Sequence, residues 1–138
     1  MLNFYWMPTI RAAAELDQHR PAKAIEILHP AAVYELGGPS RLGPGTLYPV
    51  YLGGEAYLRL GQADKAAIEF QKFLVHSGCL MNFPFGALAH LLLGRTYAHD
   101  GDKARARVAY QDFLKLWKDA DPDVPILSEA KAEFAKLQ

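Results

Sequence analysis

The chain has 138 residues, 51% of them hydrophobic and 22% charged, with 15 basic residues set against 15 acidic ones. That balance supports one globular domain and is too apolar for intrinsic disorder. A neutral chain has no long-range field to gather phosphates, so nucleic acid is not an expected partner. No stretch reaches the roughly 18 apolar residues of a membrane span, so no membrane insertion by this chain is expected.

Apolar residues recur at helical spacing, and no run alternates as a half-buried strand does. Seven helices are predicted, at about 3–18, 21–35, 46–60, 63–76, 86–99, 103–118 and 126–137. Pro21 and Pro125 suit first turns, where a missing N–H costs little. Gly61 and Gly101 suit the left-handed position that closes a helix. Asp64 and Asp102 lie near helix starts, where a carboxylate can accept unpaired backbone N–H groups. Two connectors are longer. Residues 37–45 (GGPSRLGPG) are Gly/Pro punctuation, and residues 77–85 (SGCLMNFPF) are apolar enough to pack down in part.

No charged segment followed by an apolar run and a small-residue cleavage site opens the chain, so no signal peptide is expected. Cys79 is the only cysteine, which rules out an internal disulfide and fits a reducing, cytoplasmic setting.

One pattern occurs twice. Residues 51–74 (YLGGEAYLRLGQADKAAIEFQKFL) and 91–114 (LLLGRTYAHDGDKARARVAYQDFL) align at an offset of 40 residues. Gly54 pairs with Gly94, Tyr57 with Tyr97, Gly61 with Gly101, Ala66 with Ala106, Phe70 with Tyr110, and Phe73-Leu74 with Phe113-Leu114. Self-similarity at such a period marks stacked helix pairs. The small residue lets the first helix of a pair approach the second, and the alanine answers it from the other side. The aromatics then bury a stripe against the next element. A weaker copy precedes both, with Ala12 at the small position, Glu15 in place of the tyrosine, His19 in place of the turn glycine, then Ala24 and Leu28.

In kind and order these residues resemble the tetratricopeptide repeat. The family's period is 34 residues; the second pair exceeds it by six, which belong in the 77–85 connector. The resemblance covers nearly the whole chain. It implies an all-α solenoid of three helix-turn-helix pairs, about 3–35, 46–76 and 86–118, with a capping helix at 126–137, in one domain over residues 1–138. The stretches YPVYLGGEAYLRLGQ, ALAHLLLGRTYAHDGDKARARVAYQDFLKLWKDADPDVPIL and EAKAEFAKLQ also look like the C-terminal repeat region of large bacterial serine/threonine protein kinases. That implies a longer parent protein whose kinase domain lies upstream. Related repeat regions also follow DNA-binding domains in bacterial regulators. No kinase Gly-rich loop, H-R-D or D-F-G occurs within the chain.

Tetratricopeptide modules bind partners along a concave face made by the first helix of each pair. The groove positions implied here are Trp6, Thr9, Ala13 and Leu16, then Tyr48, Tyr51, Glu55, Leu58 and Arg59, then Leu88, Leu91, Arg95, Ala98 and His99. The residues expected to bind a partner are Trp6, Tyr48, Tyr51, Glu55, Arg59, Arg95 and His99. Aromatics and arginines are favoured anchors, although Trp6, Tyr51 and Leu91 could equally be packing residues. The Lys/Asn clamp some family members use for a terminal carboxylate is absent, since Thr9, Ala13, Leu52, Leu88 and Leu92 stand there. Arg59 or Arg95 could still hold a carboxylate by a bidentate fork.

Other candidate chemistry reads more simply as structure. Asp119, Asp121 and Asp123 are spaced like the start of a calcium loop, but Val124 and Ala130 stand where its glycine and glutamate belong. His76 and Cys79 have a zinc-like spacing without a second pair, and His29, His90 and His99 are scattered. GGPSRLGPG lacks G-K-[ST] and a preceding strand, so it is a connector or a flap over the groove, not a phosphate cradle. Lys103, Arg105, Arg107, Lys115 and Lys118 form the one basic cluster, interrupted by Asp112 and Asp119 and without an aromatic ladder. Ser40, Ser77 and Ser128 have no triad partners. The sequence therefore predicts a non-catalytic interaction module without cofactor or metal. The alternative is a self-association module using the apolar segment LNFYW at 2–6.

Overall fold

The computed structural model describes residues 2–35, 47–77 and 84–137. The 37–45 connector, Ser40, Cys79 and most of the 77–85 loop lie outside them. Among the described residues the protein is all-α, with seven α-helices and no strand. They are α1 (Met7–Asp17), α2 (Pro21–Leu28), α3 (Tyr48–Arg59), α4 (Ala63–Val75), α5 (Phe85–His99), α6 (Lys103–Leu116) and α7 (Pro125–Ala135). The chain divides into two compact units, residues 1–83 with α1–α4 and residues 84–138 with α5–α7.

Two predicted helices are broken, each by a proline. The 3–18 segment begins as a wider π turn over Leu2–Trp6, and α1 starts only at Met7. Pro8 has no N–H to donate to the carbonyl four residues back, so the α ladder cannot run through it. The buried Thr9 hydroxyl donates to the Tyr5 carbonyl there. The 21–35 segment leaves the α-helix at Leu28 and continues as a 3-10 turn over His29–Tyr34, with Pro30 as the cause.

The three helix pairs close in the same way. Residues 19, 61 and 101 carry positive φ of 56°, 70° and 81°. In each turn the next residue's N–H reaches back five positions: Arg20 to Glu15 O (2.8 Å), Gln62 to Tyr57 O (2.9 Å) and Asp102 to Tyr97 O (2.9 Å). The left-handed residue itself donates to Leu16, Leu58 or Ala98 O at 3.0–3.2 Å. This double bond pattern is the Schellman stop, which satisfies carbonyls the helix leaves open. Gly61 and Gly101 adopt it without a steric cost; His19 does so with a side chain, which costs about 1–2 kcal/mol.

Inside the pairs, one helix presents a glycine to an aromatic ring of the other. A methyl placed on Gly54 would lie 2.7 Å from Cζ and 2.8 Å from Cδ1 of Phe70, and one on Gly94 would lie 2.9 Å from Cδ2 of Tyr110. Ala66 and Ala106 are fully buried beside these contacts. In the first unit, Ala12, Leu16, Ala24, Leu28 and Ala56 form one core in which α1, α2 and α3 meet. In the second, Leu91, Ala106, Tyr110 and Phe113 are covered by Leu127, Ala130 and Leu137 at the C-terminal end. Thus α7 seals the apolar face of the α5/α6 pair. Asp102 caps α6, its Oδ1 accepting the Arg105 N–H at 2.9 Å, whereas Asp64 sits within the first turn of α4, where the dipole favours its charge. Both Pro21 and Pro125 occupy first turns.

Gly54→Ala is expected to lower stability by about 1–3 kcal/mol, since overpacking outweighs the better helix propensity of alanine. Gly94→Ala should cost less, because its ring lies farther away. His19→Gly should stabilise by up to about 1 kcal/mol. Urea midpoints test all three, and an unshifted midpoint for Gly54→Ala would show that the Phe70 ring can simply move aside.

Candidate functional site

The predicted binding residues divide between the two units, and most carry a role in holding their own unit together. In the first unit, Trp6 is half-buried in the π turn, edge-on to Tyr5 with ring centroids 5.3 Å apart and 6.4 Å from the ring of Tyr48. Tyr48 opens α3. One turn on, the Tyr51 hydroxyl reaches Glu55 Oε1 at 3.3 Å. Glu55 also meets Arg59 Nη2 at 3.4 Å. Tyr51, Glu55 and Arg59 are spaced four residues apart, so they stand above one another on one face of α3. Arg59 Nη1 donates to the Leu16 carbonyl at 2.7 Å. That oxygen lies in the last turn of α1, where a cationic side chain is favoured by both the open carbonyls and the dipole.

In the second unit, Arg95 holds a two-carboxylate contact from α7. Its Nε and Nη2 fork onto Glu133 at 2.8–3.2 Å, and Nη2 also meets Glu129 at 3.2 Å. The Tyr110 hydroxyl donates to Glu133 Oε2 at 2.8 Å. Hydrogen bonding to Glu133 holds the Arg95 guanidinium charged more firmly than usual. Burial alone would raise Glu133, but Arg95 and Tyr110 outweigh it and keep its carboxyl below the ordinary range. Burial, then the bond to Glu133, pushes the Tyr110 phenol well upward. His99 ends α5 and is exposed.

The wider set of groove positions sorts by burial. Thr9, Leu16 and Leu91 are core residues and offer no surface. Ala13, Leu58, Leu88 and Ala98 are partly buried. Three members of the basic cluster are engaged: Arg105 binds Asp102 and stacks 4.5 Å from the Tyr97 ring, Arg107 donates to the Leu137 carbonyl, and Lys118 lies 3.8 Å from Asp119. Lys65 takes the equivalent place over Tyr57, at 5.5 Å. The three aspartates of 119–123 are exposed, and Asp121 accepts the Asp123 backbone N–H at 3.1 Å in a local turn. His76 lies at the end of α4 and Ser128 on α7. Glu129 and Glu133, four residues apart on one face of a helix, were the readable sign of a carboxylate pair, but nothing in the sequence tied them to Arg95. No protein-family model, curated protein or solved structure matches the chain.

The Glu133 shift has a pH consequence. A carboxylate with a depressed folded-state value stabilises fully above its unfolded value, near 4.5, and loses that contribution as pH falls through the lowered value. Glu133→Gln should therefore destabilise at neutral pH and flatten the acid limb of a thermal-melting profile below pH about 4.5. Equal slopes for both proteins in that window would remove the Arg95–Glu133 pair from the stability account.

Proposed function

We propose that the chain is a non-catalytic protein-interaction module of tetratricopeptide type, three repeats and a capping helix, which binds a peptide or protein through the first helices of its pairs. The observation that carries this reading is the threefold recurrence of one turn geometry, with the glycine-to-ring contact recurring in the last two pairs. Each recurrence leaves the first helix with a partly exposed face bearing charged and aromatic side chains. On α3 that face carries Tyr51, Glu55 and Arg59; on α5 it carries Arg95 and His99; Trp6 and Tyr48 adjoin the N-terminal part. The resemblance to repeat regions of bacterial protein kinases supports a place in a larger cytoplasmic signalling protein. An acidic partner would compete with Glu133 for Arg95, so it needs two carboxylates or a fork of better geometry to gain there.

The test is capture of a partner by the parent protein, followed by substitution. Arg59→Ala with Arg95→Ala should weaken binding about tenfold or more, as truncated arginine anchors do. His99→Glu and Tyr51→Ser, which leave the Leu16 and Glu133 bonds intact, should weaken it as well in protein of unchanged melting temperature. Unchanged affinity in all of these variants would remove the groove.

A second reading, self-association, draws on exposed apolar residues near the N-terminus. Of LNFYW, Tyr5 is turned into the core, but Phe4 is 57% exposed; on the 3-10 turn packed against that segment, Val33 is 83% exposed. If copies associate there, sedimentation equilibrium should show a concentration-dependent mass that Phe4→Ser with Val33→Ser abolishes; a single monomer mass at every concentration would sink this reading.

A further inference from the structure

A different face of α3 opens onto a cavity. Pro49, Gly53 and Tyr57 follow one another at four-residue spacing, and Gly53 lies two residues, about 200° of helical turn, from Glu55. These residues, with Ile25 and Leu28 of α2 and with the Glu69 and Lys72 side chains of α4, line a cavity of about 130 Å³. Glu35, at the end of the 3-10 turn, completes the wall together with His29 and Ala32 of the same turn. The absence of a side chain at Gly53 keeps the floor open: a methyl there would only touch Glu69 and Leu28, at 3.9 and 4.0 Å.

The polar end of this cavity is unbalanced. Lys72 Nζ lies 3.0 Å from Glu35 and 2.7 Å from Glu69. Their side chains are only 12% and 18% exposed, and Lys72 28%. Two half-buried carboxylates thus share one ammonium, leaving one negative charge in excess. Burial is the largest influence on Glu69 and raises its carboxyl despite Lys72. Burial would lower Lys72, but the two carboxylates outweigh it and hold it charged. Each carboxylate has lone pairs beyond the one Lys72 occupies. A second cation placed there would remove the excess charge where water screens it least. Apart from His29 and the Tyr57 ring, which already carries Lys65 at 5.5 Å, the rest of the wall is apolar.

We propose that this cavity is a binding site for a primary alkylammonium group, whose charged head meets Glu35 and Glu69 and whose hydrocarbon stem lies against Ile25, Leu28 and Pro49. Size selects this class. A cavity near 150 Å³ accepts benzene, and drug-sized ligands need about 300 Å³ or more. A five-heavy-atom chain such as butylammonium therefore fits, either as a free amine or as a lysine side chain. An ammonium's three donors can also address two carboxylates at once. The site lies away from the Tyr51–Arg59 face and stands or falls separately from the groove.

The experiment is an amide NMR titration of the whole chain with n-butylammonium at low salt, with n-butanol and butyrate as matched neutral and anionic probes. Saturable shifts confined to residues 25–35, 49–57 and 69–72 are expected with butylammonium, at least tenfold weaker with butanol and absent with butyrate. Glu69→Gln and Glu35→Gln, shown folded by circular dichroism, should each weaken binding about tenfold. Lys72→Met should strengthen it, since the ligand then takes the vacated place between two carboxylates. A lysine peptide with both ends blocked, titrated against free butylammonium, separates the two sources: tighter binding of the peptide points to a protein partner, tighter binding of the amine to a metabolite. Equal binding of butanol and butylammonium, or binding untouched by both glutamine variants, would overturn the proposal.

Discussion

The structure depends on bare backbone meeting an aromatic ring. At Gly54 and Gly94 the helix offers no Cβ, so the rings of Phe70 and Tyr110 can come up against its backbone. The helices of these pairs approach until the rings fill the space that a side chain would have taken, and Ala66 and Ala106 keep the opposite wall equally low. Interiors are packed at crystal density, so a single methyl at such a point has nowhere to go. The turn that closes each pair is independent of that approach, since α1 and α2 share the Schellman closure with Ala12 and Leu28 in place of the glycine and the ring.

Polar groups then tie the pairs to their neighbours, and they do so at helix ends. Arg59 reaches the last turn of α1 as a second donor to the Leu16 carbonyl, and Arg95 reaches the carboxylates of α7. The arginines proposed to meet a partner are thus already holding their own unit, and a ligand that engaged them would have to exchange one set of hydrogen bonds for another.

Much of this was legible in the sequence because it rests on positions where few residue types fit well. Gly54, Gly94, Gly61 and Gly101 could be placed from their spacing, and the weaker copy was readable enough that His19 was set at the turn position, where it does adopt positive φ. The helix interruptions at Pro8 and Pro30 were also written in the chain but were masked by strong apolar periodicity on either side. What could not be read were contacts between residues far apart in sequence. Arg95 with Glu133, 38 residues apart, and Lys72 with Glu35, 37 residues apart, depend on how elements pack, and no local pattern encodes that. The residues assigned to a groove are a middle case: periodicity put Thr9, Leu16 and Leu91 on helices but could not tell the buried edge of a stripe from its exposed one.

Tyr110 makes the α5/α6 pair differ from the α3/α4 pair. It occupies the same slot as Phe70, yet its hydroxyl is committed to Glu133 while its ring fills the space beside Gly94. A phenylalanine there would strip Glu133 of a donor, and a tyrosine at the fully enclosed Phe70 would bring in a hydroxyl needing a partner of its own. The two pairs are therefore not interchangeable parts: the pair that α7 covers must supply the phenol whose proton Glu133 accepts.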